Sequence, residues 1–526
     1  MTNPTSVAPD TGADATAPEA TSFWDTAERA PHRPAVVVDG GESVTFGELA
    51  TRIRSLARGL VAHGIRTGDR IAVILTNRVE YVLVQVAAHT IGATMVPVNR
   101  HLTAPELHHI LADCNPALVV VDEHTAPSAV PAAVDAAIDR ARLVAAGAVD
   151  GVRPISELAG ADGPLPERPA GTLLFYSSGT TGKPKGIVRP VSGLSPVADQ
   201  RRIAAAARSI SMGPGGVFLS VGPLYHAAPN QNMLMGLVLG KTVVVSSGFD
   251  PDHVLSLIER HRVTDTFLVP TMLHRLLSLP AERRATADVS SLRCVLHAGA
   301  ICPVATKRAM IEWVGPVLME YYGASESGAA TTITSEQWLE HPGSVGQARP
   351  GMSVRVCDET GAPLSAGEVG LIHIRTGVTV EYLGDPHKTA HSYVDGYFVP
   401  GDMGYLDEDG WLYLCDRRTD MIISGGVNIY PAEVEAALLE HPDVVDVAVF
   451  GVSNDEWGQS VVALVELAED AAPEPEAVER LLDHCAGRLA RFKIPRVLRV
   501  VDTLPRTAAG KINKAHLRAA FEKAAG

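Results

Sequence analysis

Apolar residues recur along the first hundred positions in two alternating patterns. Residues 46–61 and 81–91 space them as on one face of a helix, whereas 70–75 and 94–98 are short continuous apolar runs typical of buried strands. This alternation predicts βαβ units and a parallel sheet.

Similar strand and helix signals continue further along the chain, at 216–221, 242–246, 254–261, 266–269, 272–279, 294–298 and 304–314. Residues 125–169 differ, because they are rich in Ala, Pro, Gly and acidic residues and contain one amphipathic piece at 130–145. We expect a mobile surface connection there.

The pattern changes again after residue 343, where short apolar runs alternate with turns rich in Gly and Asp and predict a β-rich segment. Beyond residue 431 it predicts the elements of a small α+β domain, namely helix 433–439, strands 444–450 and 461–467, and helices 477–489 and 513–524.

The length of the chain predicts more than one domain, because 526 residues exceed the usual size of one hydrophobic core. We expect a disordered leader at 1–22, a large α/β domain with a β-rich subdomain at 23–418, and a small α+β domain at 419–526. The leader is rich in Thr, Pro, Ala and acidic residues and lacks the plan of a signal peptide.

Composition excludes several classes of protein. The longest apolar stretch, 233–245, is interrupted by Lys241, so no membrane span is expected. Six cysteines without a CxxC pair argue against a zinc site and a disulfide framework, and they favour the reducing cytoplasm. A formal net charge of -15 argues against general nucleic-acid binding, so any phosphate site must be local.

One segment is built to approach phosphate groups. Residues 176–186 read Tyr-Ser-Ser-Gly-Thr-Thr-Gly-Lys-Pro-Lys-Gly. Glycines allow close backbone approach, hydroxyls and amides donate hydrogen bonds, and lysines supply positive charge. The segment is not a Walker loop, which requires Gly in place of Ser177 and Ser or Thr in place of Pro184.

Together with later motifs in the same order, this segment resembles the adenylate-forming superfamily of acyl-CoA synthetases, aryl-CoA ligases, adenylation domains and luciferases. The resemblance extends from about residue 23 to the C-terminus and is closest in motif style to acyl- or aryl-CoA ligases. The later motifs are Tyr322-Gly-Ala-Ser-Glu326, Gly401-Asp-Met-Gly-Tyr405, Asp416-Arg-Arg-Thr-Asp420 and Leu504-Pro-Arg-Thr-Ala-Ala-Gly-Lys511. It implies a large N-terminal domain of β-sheets flanked by helices, and a mobile C-terminal lid.

The resemblance implies binding of ATP and Mg²⁺. Asp402 and Arg417 match the ribose-binding residues, and a carboxylate can accept hydrogen bonds from both ribose hydroxyls. Glu326 and Thr181 match the metal-binding positions, where a cation would neutralise charge developing on the α-phosphate. The remaining ATP positions are Ser177, Ser178, Gly179, Thr180, Gly182, Lys185, Gly299, Ala300, Tyr321, Tyr322, Gly323 and Ser325.

The resemblance also names catalytic residues, which are Lys511, Thr181, Glu326 and His226. Lys511 would bridge the substrate carboxylate and the α-phosphate, a task suited to a compact positive charge. The acid pocket would comprise His226, Asn230, His297, Ala298, Gly299 and Gly323. From the residues alone, His226 fits a satisfied core histidine nearly as well. Asn230 and Asn232 are polar for a fatty-acid tunnel and favour an aryl or functionalised acid.

The C-terminal motifs imply a second half-reaction with CoA as co-substrate. Gly425, Gly426, Trp457, Phe492 and Arg496 match CoA-contacting positions, although Ile494 occupies a place where a basic residue is expected. Thr419 matches the hinge about which the lid would rotate, in place of the more common Asp or Lys.

The leading hypothesis is therefore ATP-dependent adenylation of a carboxylic acid with release of pyrophosphate, followed by transfer to CoA. One alternative keeps the adenylation but changes the acid or acceptor, with nitrite activation for aryl-amine diazotisation or loading of carrier-protein phosphopantetheine. Another is a non-catalytic nucleotide sensor, which the joint retention of Glu326, Asp402, Arg417 and Lys511 disfavours. The acid and the oligomeric state are left open, and a homodimer is compatible with the sequence.

Overall fold

The computed structural model describes residues 22–158, 160, 162–177, 184–424, 427–454, 457–469, 471–507 and 511–525. The α-helices are α1 (Phe23–Arg29), α2 (Phe46–Ala62), α3 (Val79–Thr90), α4 (Ala104–Cys114), α5 (Ala126–Asp135), α6 (Pro196–Arg208), α7 (Ala227–Val238), α8 (Pro251–His261), α9 (Pro270–Leu277), α10 (Ala281–Thr286), α11 (Val304–Val314), α12 (Ser335–Glu340), α13 (Pro386–His391), α14 (Pro431–Leu439), α15 (Glu474–Ala486) and α16 (Lys514–Ala525).

The strands are β1 (Pro34–Val38), β2 (Ser43–Thr45), β3 (Arg70–Ile74), β4 (Thr94–Pro97), β5 (Leu118–Asp122), β6 (Leu143–Ala146), β7 (Arg153–Pro154), β8 (Phe175–Ser177), β9 (Lys185–Val188), β10 (Val217–Ser220), β11 (Thr242–Val245), β12 (Asp265–Leu268), β13 (Cys294–His297), β14 (Leu318–Ala324), β15 (Gly328–Thr334), β16 (Ser344–Ala348), β17 (Ser353–Cys357), β18 (Gly370–Arg375), β19 (Glu381–Tyr382), β20 (Tyr393–Val394), β21 (Tyr397–Phe398), β22 (Asp402–Leu406), β23 (Leu412–Arg417), β24 (Ile422–Ser424), β25 (Val427–Ile429), β26 (Val444–Asn454), β27 (Gly458–Leu467) and β28 (Val497–Val500).

Helix α2 illustrates how the sequence sets these elements. Thr45 caps its first turn in a reciprocal capping box with Glu48, which satisfies backbone donors that a helix start leaves free. The side chains of Leu49, Ile53 and Leu60 recur on one face of the helix and are buried. The predicted helix is thus held at its start by the cap and along its length by burial.

The large domain contains one large mixed sheet, one parallel sheet and one small antiparallel sheet. Strands β1, β11, β10, β12, β13 and β14 lie parallel in that order, and β15, β16, β23, β22, β18, β21 and β20 extend the same sheet. The second sheet has the parallel order β4, β3, β5, β6, β7. A hairpin of β8 and β9, joined by β19, forms a third sheet. The predicted βαβ architecture and β-rich segment are confirmed.

The prediction of a mobile connection at 125–169 is wrong for much of that segment. Strand β6 is buried along its whole length and pairs in parallel with β5, while Ala129 and Ala133 of α5 pack in the same core. The small residues of this segment are typical of a helix or a linker, but they also fit a tightly packed sheet because they need little space.

Ser22, which the expected leader had included, is already part of the folded structure. The side chain of Ser22 accepts a hydrogen bond from the amide of Asp25 and caps α1. Residues 1–21 lie outside the described part of the chain.

The C-terminal unit has its own sheet, in the order β25, β24, β27, β26 with β28 beside β27. It touches the large domain directly: the amide of Ala432 donates a 2.9 Å hydrogen bond to Asp416. The separate α+β domain is confirmed, and the boundary at 418/419 stays a prediction. Across the described ranges, no helix combines the length and apolarity needed to cross a bilayer.

Candidate active site

The segment that ends β14 brings an aromatic ring and a carboxylate together. Tyr322 is buried, and its hydroxyl donates a 2.8 Å hydrogen bond to Oδ2 of Asp402. The next residue, Gly323, sits where the pairing of β14 with β15 shifts register. A Cβ there would lie 1.8 Å from the carbonyl oxygen of Gly328. Glycine is therefore required at Gly323 for the close backbone approach.

Asp402 also faces a guanidinium. It is the first residue of β22 and pairs with Arg417, the last residue of β23, whose Nε lies 3.4 Å from Oδ1 of Asp402. The negative charge of Asp402 adds to burial in raising the pKa of Tyr322 well above its ordinary value. The structure thus brings Tyr322, Asp402 and Arg417 together, as expected for a nucleoside site.

Glu326 lies beside the hairpin that contains the phosphate segment. Its Oε1 accepts a 2.8 Å hydrogen bond from the hydroxyl of Tyr382 in β19, and β19 pairs with β9. On the same stretch, the carbonyl of Ser325 accepts a hydrogen bond from the guanidinium of Arg189. The sequence did not single out Tyr382 or Arg189, because only pairing of distant strands brings them here.

The base of the phosphate hairpin is described, whereas its tip is not. Ser177 in β8 pairs with Lys185 in β9, and the ammonium of Lys185 lies 3.1 Å from Oδ2 of Asp385. The predicted contacts Ser178, Gly179, Thr180, Thr181 and Gly182 lie outside the described residues.

Lys511 reaches this site from the C-terminal unit. Its side chain keeps solvent-exposed surface. Desolvation nevertheless lowers the pKa of its ammonium, and the nearby charge of Arg417 lowers it further. The carboxylates of Asp402 and Glu326 act on the same ammonium in the opposite direction. Lys511 is thereby placed near both predicted ATP-binding carboxylates.

His226 lies in the same region, where the C-terminal unit meets the large domain. It is the N-cap residue of α7, its ring centroid is 4.6 Å from that of Tyr225, and its Nε2 has no hydrogen-bond partner among the described residues. Burial and then the positive charge of Lys511 lower the pKa of His226 to about 4. The imidazole is therefore neutral near pH 7.

His297 does not face this group. Its side chain is fully buried, with Nε2 3.7 Å from Oε2 of Glu320, and the same carboxylate is 2.5 Å from the ammonium of Lys307. The next residues leave the strand: Gly299 has a φ of 94° and, like Ala300, is exposed. Of the predicted segment, Gly299 and Ala300 can meet a ligand, Ala298 is largely buried, and His297 belongs to a buried ionic cluster.

The two asparagines of α7 have protein partners. Asn230 is fully buried, exchanges hydrogen bonds of 2.8 and 3.1 Å with the amide of Gln85, and donates to the carbonyl of Leu224. Asn232 donates to the carbonyl of Ala228 and, at 3.2 Å, to the hydroxyl of Tyr321. Their polarity is explained by packing of α7, so it does not by itself indicate a polar acid.

Two of the expected CoA contacts, Trp457 and Arg496, lie together on the C-terminal unit. The guanidinium of Arg496 lies 4.7 Å from the ring centroid of Trp457, and Trp457 and Phe492 are both exposed. Gly425 and Gly426 lie outside the described residues. Thr419 lies in the exposed turn between β23 and β24, between the two units.

Known proteins match this chain over nearly its whole length. The profile of the AMP-binding enzyme family matches residues 23–383, and that of the AMP-binding enzyme C-terminal domain matches residues 433–511. Feruloyl-CoA synthase from Amycolatopsis sp is 36% identical over 506 residues, covering 94% of this chain and 97% of that protein. 2-Succinylbenzoate–CoA ligase from Geobacillus kaustophilus is 34% identical, covering 94% and 96%.

Solved structures agree. The amide bond synthetase McbA from Marinactinospora thermotolerans superposes with a TM-score of 0.81 at 31% identity, covering 95% of this chain and 99% of that one. With the geometry of Tyr322, Asp402, Arg417, Glu326 and Lys511, these matches confirm the expected adenylate-forming enzyme, and the chain belongs to the AMP-binding enzyme family.

Proposed function

We propose that this protein is an acid–thiol ligase that adenylates an aryl or functionalised carboxylic acid and transfers the acyl group to CoA. The observation that carries the proposal is the placement of Lys511 from the C-terminal unit near Asp402, Arg417 and Glu326 of the large domain. Binding of ATP alone would not require a cation from a second domain at this point.

In the first half-reaction, a carboxylate oxygen of the acid attacks the α-phosphorus of ATP and pyrophosphate leaves. Asp402 and Arg417 hold the ribose, and Tyr322 orients Asp402 through its hydrogen bond. Lys511 lies between the approaching anions and offsets their repulsion. In the second half-reaction, the thiolate of CoA attacks the acyl carbon, and AMP leaves with the bridging oxygen.

A magnesium ion fits beside Glu326. The hydroxyl of Tyr382 donates to Oε1, and within the described part of the chain no donor reaches Oε2, which is available to a cation. Mg²⁺ prefers carboxylate and phosphate oxygens and is commonly held by one or two carboxylates and substrate phosphates. Glu326 and Thr181 are the residues that would hold it, and when bound it supplies positive charge beside the reacting phosphates.

The aryl preference rests on the relatives and on the residues near His226. Feruloyl-CoA synthase and 2-succinylbenzoate–CoA ligase are named for acids that contain a ring. The neutral imidazole of His226 and the ring of Tyr225, tilted by 55° to it, provide aromatic surface that suits edge or face contacts with such an acid.

Support for CoA as acceptor comes from the contact of Trp457 with Arg496, here called the CoA patch, and from the exposed ring of Phe492. Exposed aromatic rings next to a guanidinium suit a nucleotide that carries a base and phosphates. The similarity to an amide bond synthetase and the apolar Ile494 favour a second candidate, in which an amine takes the acyl group. The free cysteines support the cytoplasm as the place of reaction.

The decisive experiment measures pyrophosphate release with ATP and Mg²⁺ across fatty acids, aryl acids and nitrite, each without acceptor, with CoA, and with an amine. We expect an aryl acid to give the highest release and CoA to increase turnover. Turnover that responds only to amines would replace the thiol acceptor, and release limited to nitrite would replace the acid. No release with any acid would overturn the adenylation itself.

A matched pair of variants tests the acceptor. Trp457→Ala should raise the KM for CoA about 10-fold, as expected for loss of roughly 1–2 kcal/mol of stacking, while leaving pyrophosphate release unchanged. Trp24→Ala removes a comparable tryptophan–arginine contact far along the chain, with Arg54 4.9 Å from the ring centroid, and should leave the KM for CoA unaltered. Equal effects of both variants would contradict the CoA patch.

A further inference from the structure

A buried carboxylate in the C-terminal unit is held by a guanidinium next to the catalytic motif. Asp446 in β26 is 4% exposed, and its two oxygens lie 2.5 and 2.6 Å from Nε and Nη2 of Arg506. The amide of Val447 also donates to Oδ1 of Asp446. This two-pronged contact fixes the direction of the Arg506 side chain more strongly than a single hydrogen bond would.

Arg506 stands at the base of a small hairpin that presents Lys511. It forms an antiparallel bridge with Ile512, the residue after Lys511. Inside that bridge the amide of Thr507 donates 2.8 Å to the carbonyl of Lys511, and the amide of Lys511 donates 3.1 Å to Oγ1 of Thr507. Holding Arg506 therefore sets where the backbone of Lys511 lies.

The same carboxylate faces the large domain. Nη2 of Arg275, in α9, lies 3.9 Å from Oδ2 of Asp446. The neighbouring His274 is close enough to this strand that its pKa responds to the charge of Asp446 and to the backbone of Val444 and Val445. Helix α9 thus abuts β26 at the point where Asp446 reaches Arg506.

We propose that Arg275, Asp446 and Arg506 form a bridge between the domains that positions Lys511 for the adenylation half-reaction. Arg275 and Asp446 are positioning residues, because they act on Lys511 through Arg506 and the hairpin. The bridge holds the C-terminal unit in the arrangement that delivers Lys511, and it is broken when that unit rotates for thioester formation. The inference rests on the proposed function.

Energetics explain why a modest contact matters here. An ion pair across a partly exposed interface contributes little to the stability of the fold. A misplacement of about 1 Å at the reacting atoms, by contrast, can cost about 10²-fold in rate. Loss of the bridge should consequently appear in one half-reaction far more than in folding.

The test separates the half-reactions in Arg275→Met. Single-turnover pyrophosphate release, with the best acid from the substrate panel, reports adenylation, and thioester formation from chemically supplied acyl-adenylate and CoA reports the second step. We expect adenylation to fall about 10-fold, within the range for small misplacements, and thioester formation to change by less than about 2-fold. Arg275→Lys retains the charge and should recover most of the adenylation rate.

The matched control is Arg480→Met. It removes a guanidinium 3.8 Å from Asp443, in an ion pair within the C-terminal unit, and should change neither half-reaction. Asp446→Asn weakens both arms of the bridge and should lower adenylation more than Arg275→Met does. Equal loss of both half-reactions in Arg275→Met, no loss, or the same loss in Arg480→Met would overturn the bridge. Absence of adenylation in the unaltered protein would instead overturn the proposed function.

Discussion

The hydroxyl of Tyr322 donates a 2.8 Å hydrogen bond to Oδ2 of Asp402, which joins the end of β14 to the start of β22. These residues are 80 positions apart in the chain. We propose that Tyr322 contacts adenine and Asp402 holds the ribose, and we therefore expect this bond to set the relative position of the two parts of the nucleoside site.

Tyr322→Phe tests that relationship. The ring remains and only the donor is lost, so the carboxylate of Asp402 becomes freer to turn. We expect the KM for ATP to rise about 5- to 10-fold, corresponding to loss of roughly 1–1.4 kcal/mol for one hydrogen bond, with kcat little changed. Steady-state kinetics of pyrophosphate release check this. Tyr405→Phe, on the neighbouring stretch of β22, is the control, and a similar rise in KM there would contradict a specific role for Tyr322.

Lys511→Ala should abolish formation of the acyl-adenylate while ATP still binds. The ribose-binding groups belong to the large domain, and only the charge that offsets the approaching anions is removed. We expect adenylation to fall by at least about 100-fold, as for loss of a group that stabilises a developing anion. Pyrophosphate release and calorimetric binding of ATP give the two measurements. Lys523→Ala, near the exposed end of α16, should behave as the unaltered protein, and undiminished release in Lys511→Ala would remove Lys511 from the mechanism.

Thr419→Pro should spare adenylation more than thioester formation. The described hydrogen bonds of this turn are donated by the amides of Arg418, Asp420 and Met421, so proline at 419 removes none of those three. It restricts the backbone change that a hinge must make, because the ring locks φ. Comparing single-turnover pyrophosphate release with thioester formation from supplied acyl-adenylate checks the split. Equal loss of both steps would count against Thr419 as the hinge.

Removing only one partner of the Lys307–Glu320 ion pair should destabilise the folded protein. Their atoms are 2.5 Å apart and both side chains are buried next to His297. Lys307→Met leaves a buried carboxylate without its cation and should lower the free energy of unfolding by about 3–5 kcal/mol. Adding Glu320→Met should restore most of it. Chemical denaturation measures both.

The exposed pair of Arg52 and Glu42, 2.7 Å apart, supplies the control for burial. Arg52→Met should cost less than about 1 kcal/mol. A loss as large as that of Lys307→Met would mean that burial is not the cause.

His226 makes stability depend on pH in a defined window. In the folded protein its pKa is about 4, against an ordinary value of 6.5. Well above pH 6.5 the imidazole is neutral in both the folded and the unfolded state. As the pH falls towards 4, the imidazole is protonated in the unfolded state but stays neutral in the folded state. The free energy of unfolding should therefore drop by about 2 kcal/mol between pH 7 and pH 5 on account of His226.

His226→Asn isolates that contribution. Chemical denaturation of both proteins at pH 7 and pH 5 should show the variant gaining about 2 kcal/mol relative to the unaltered protein at the lower pH. A difference independent of pH would mean that the imidazole titrates normally in the folded state.

Motifs and periodicity foresaw much of the site, since Glu326, Asp402, Arg417 and Lys511 each stand within a short recognisable segment. They erred where a local pattern had two structural solutions. Residues 143–146 pack as an inner strand although they read as part of a linker. The hydrogen bonds of Asn230 to Gln85 were equally invisible in the sequence, and its place in the acid pocket stays a prediction. The sequence also could not show that His297 is buried beside Glu320, because this contact depends on how β13 packs against its neighbours.

The sequence by itself determined the alternation of helices and strands, the domain order and the residue types that carry the chemistry, because periodicity, capping and motifs are local properties of the chain. Only the tertiary structure decided which distant groups meet: Tyr382 with Glu326, Lys185 with Asp385, and Asp446 with Arg506 and Arg275. Such pairs depend on strand order and on the docking of two domains. Both bring together charges that are far apart in sequence, and the strength of their interaction then depends on the distance between them.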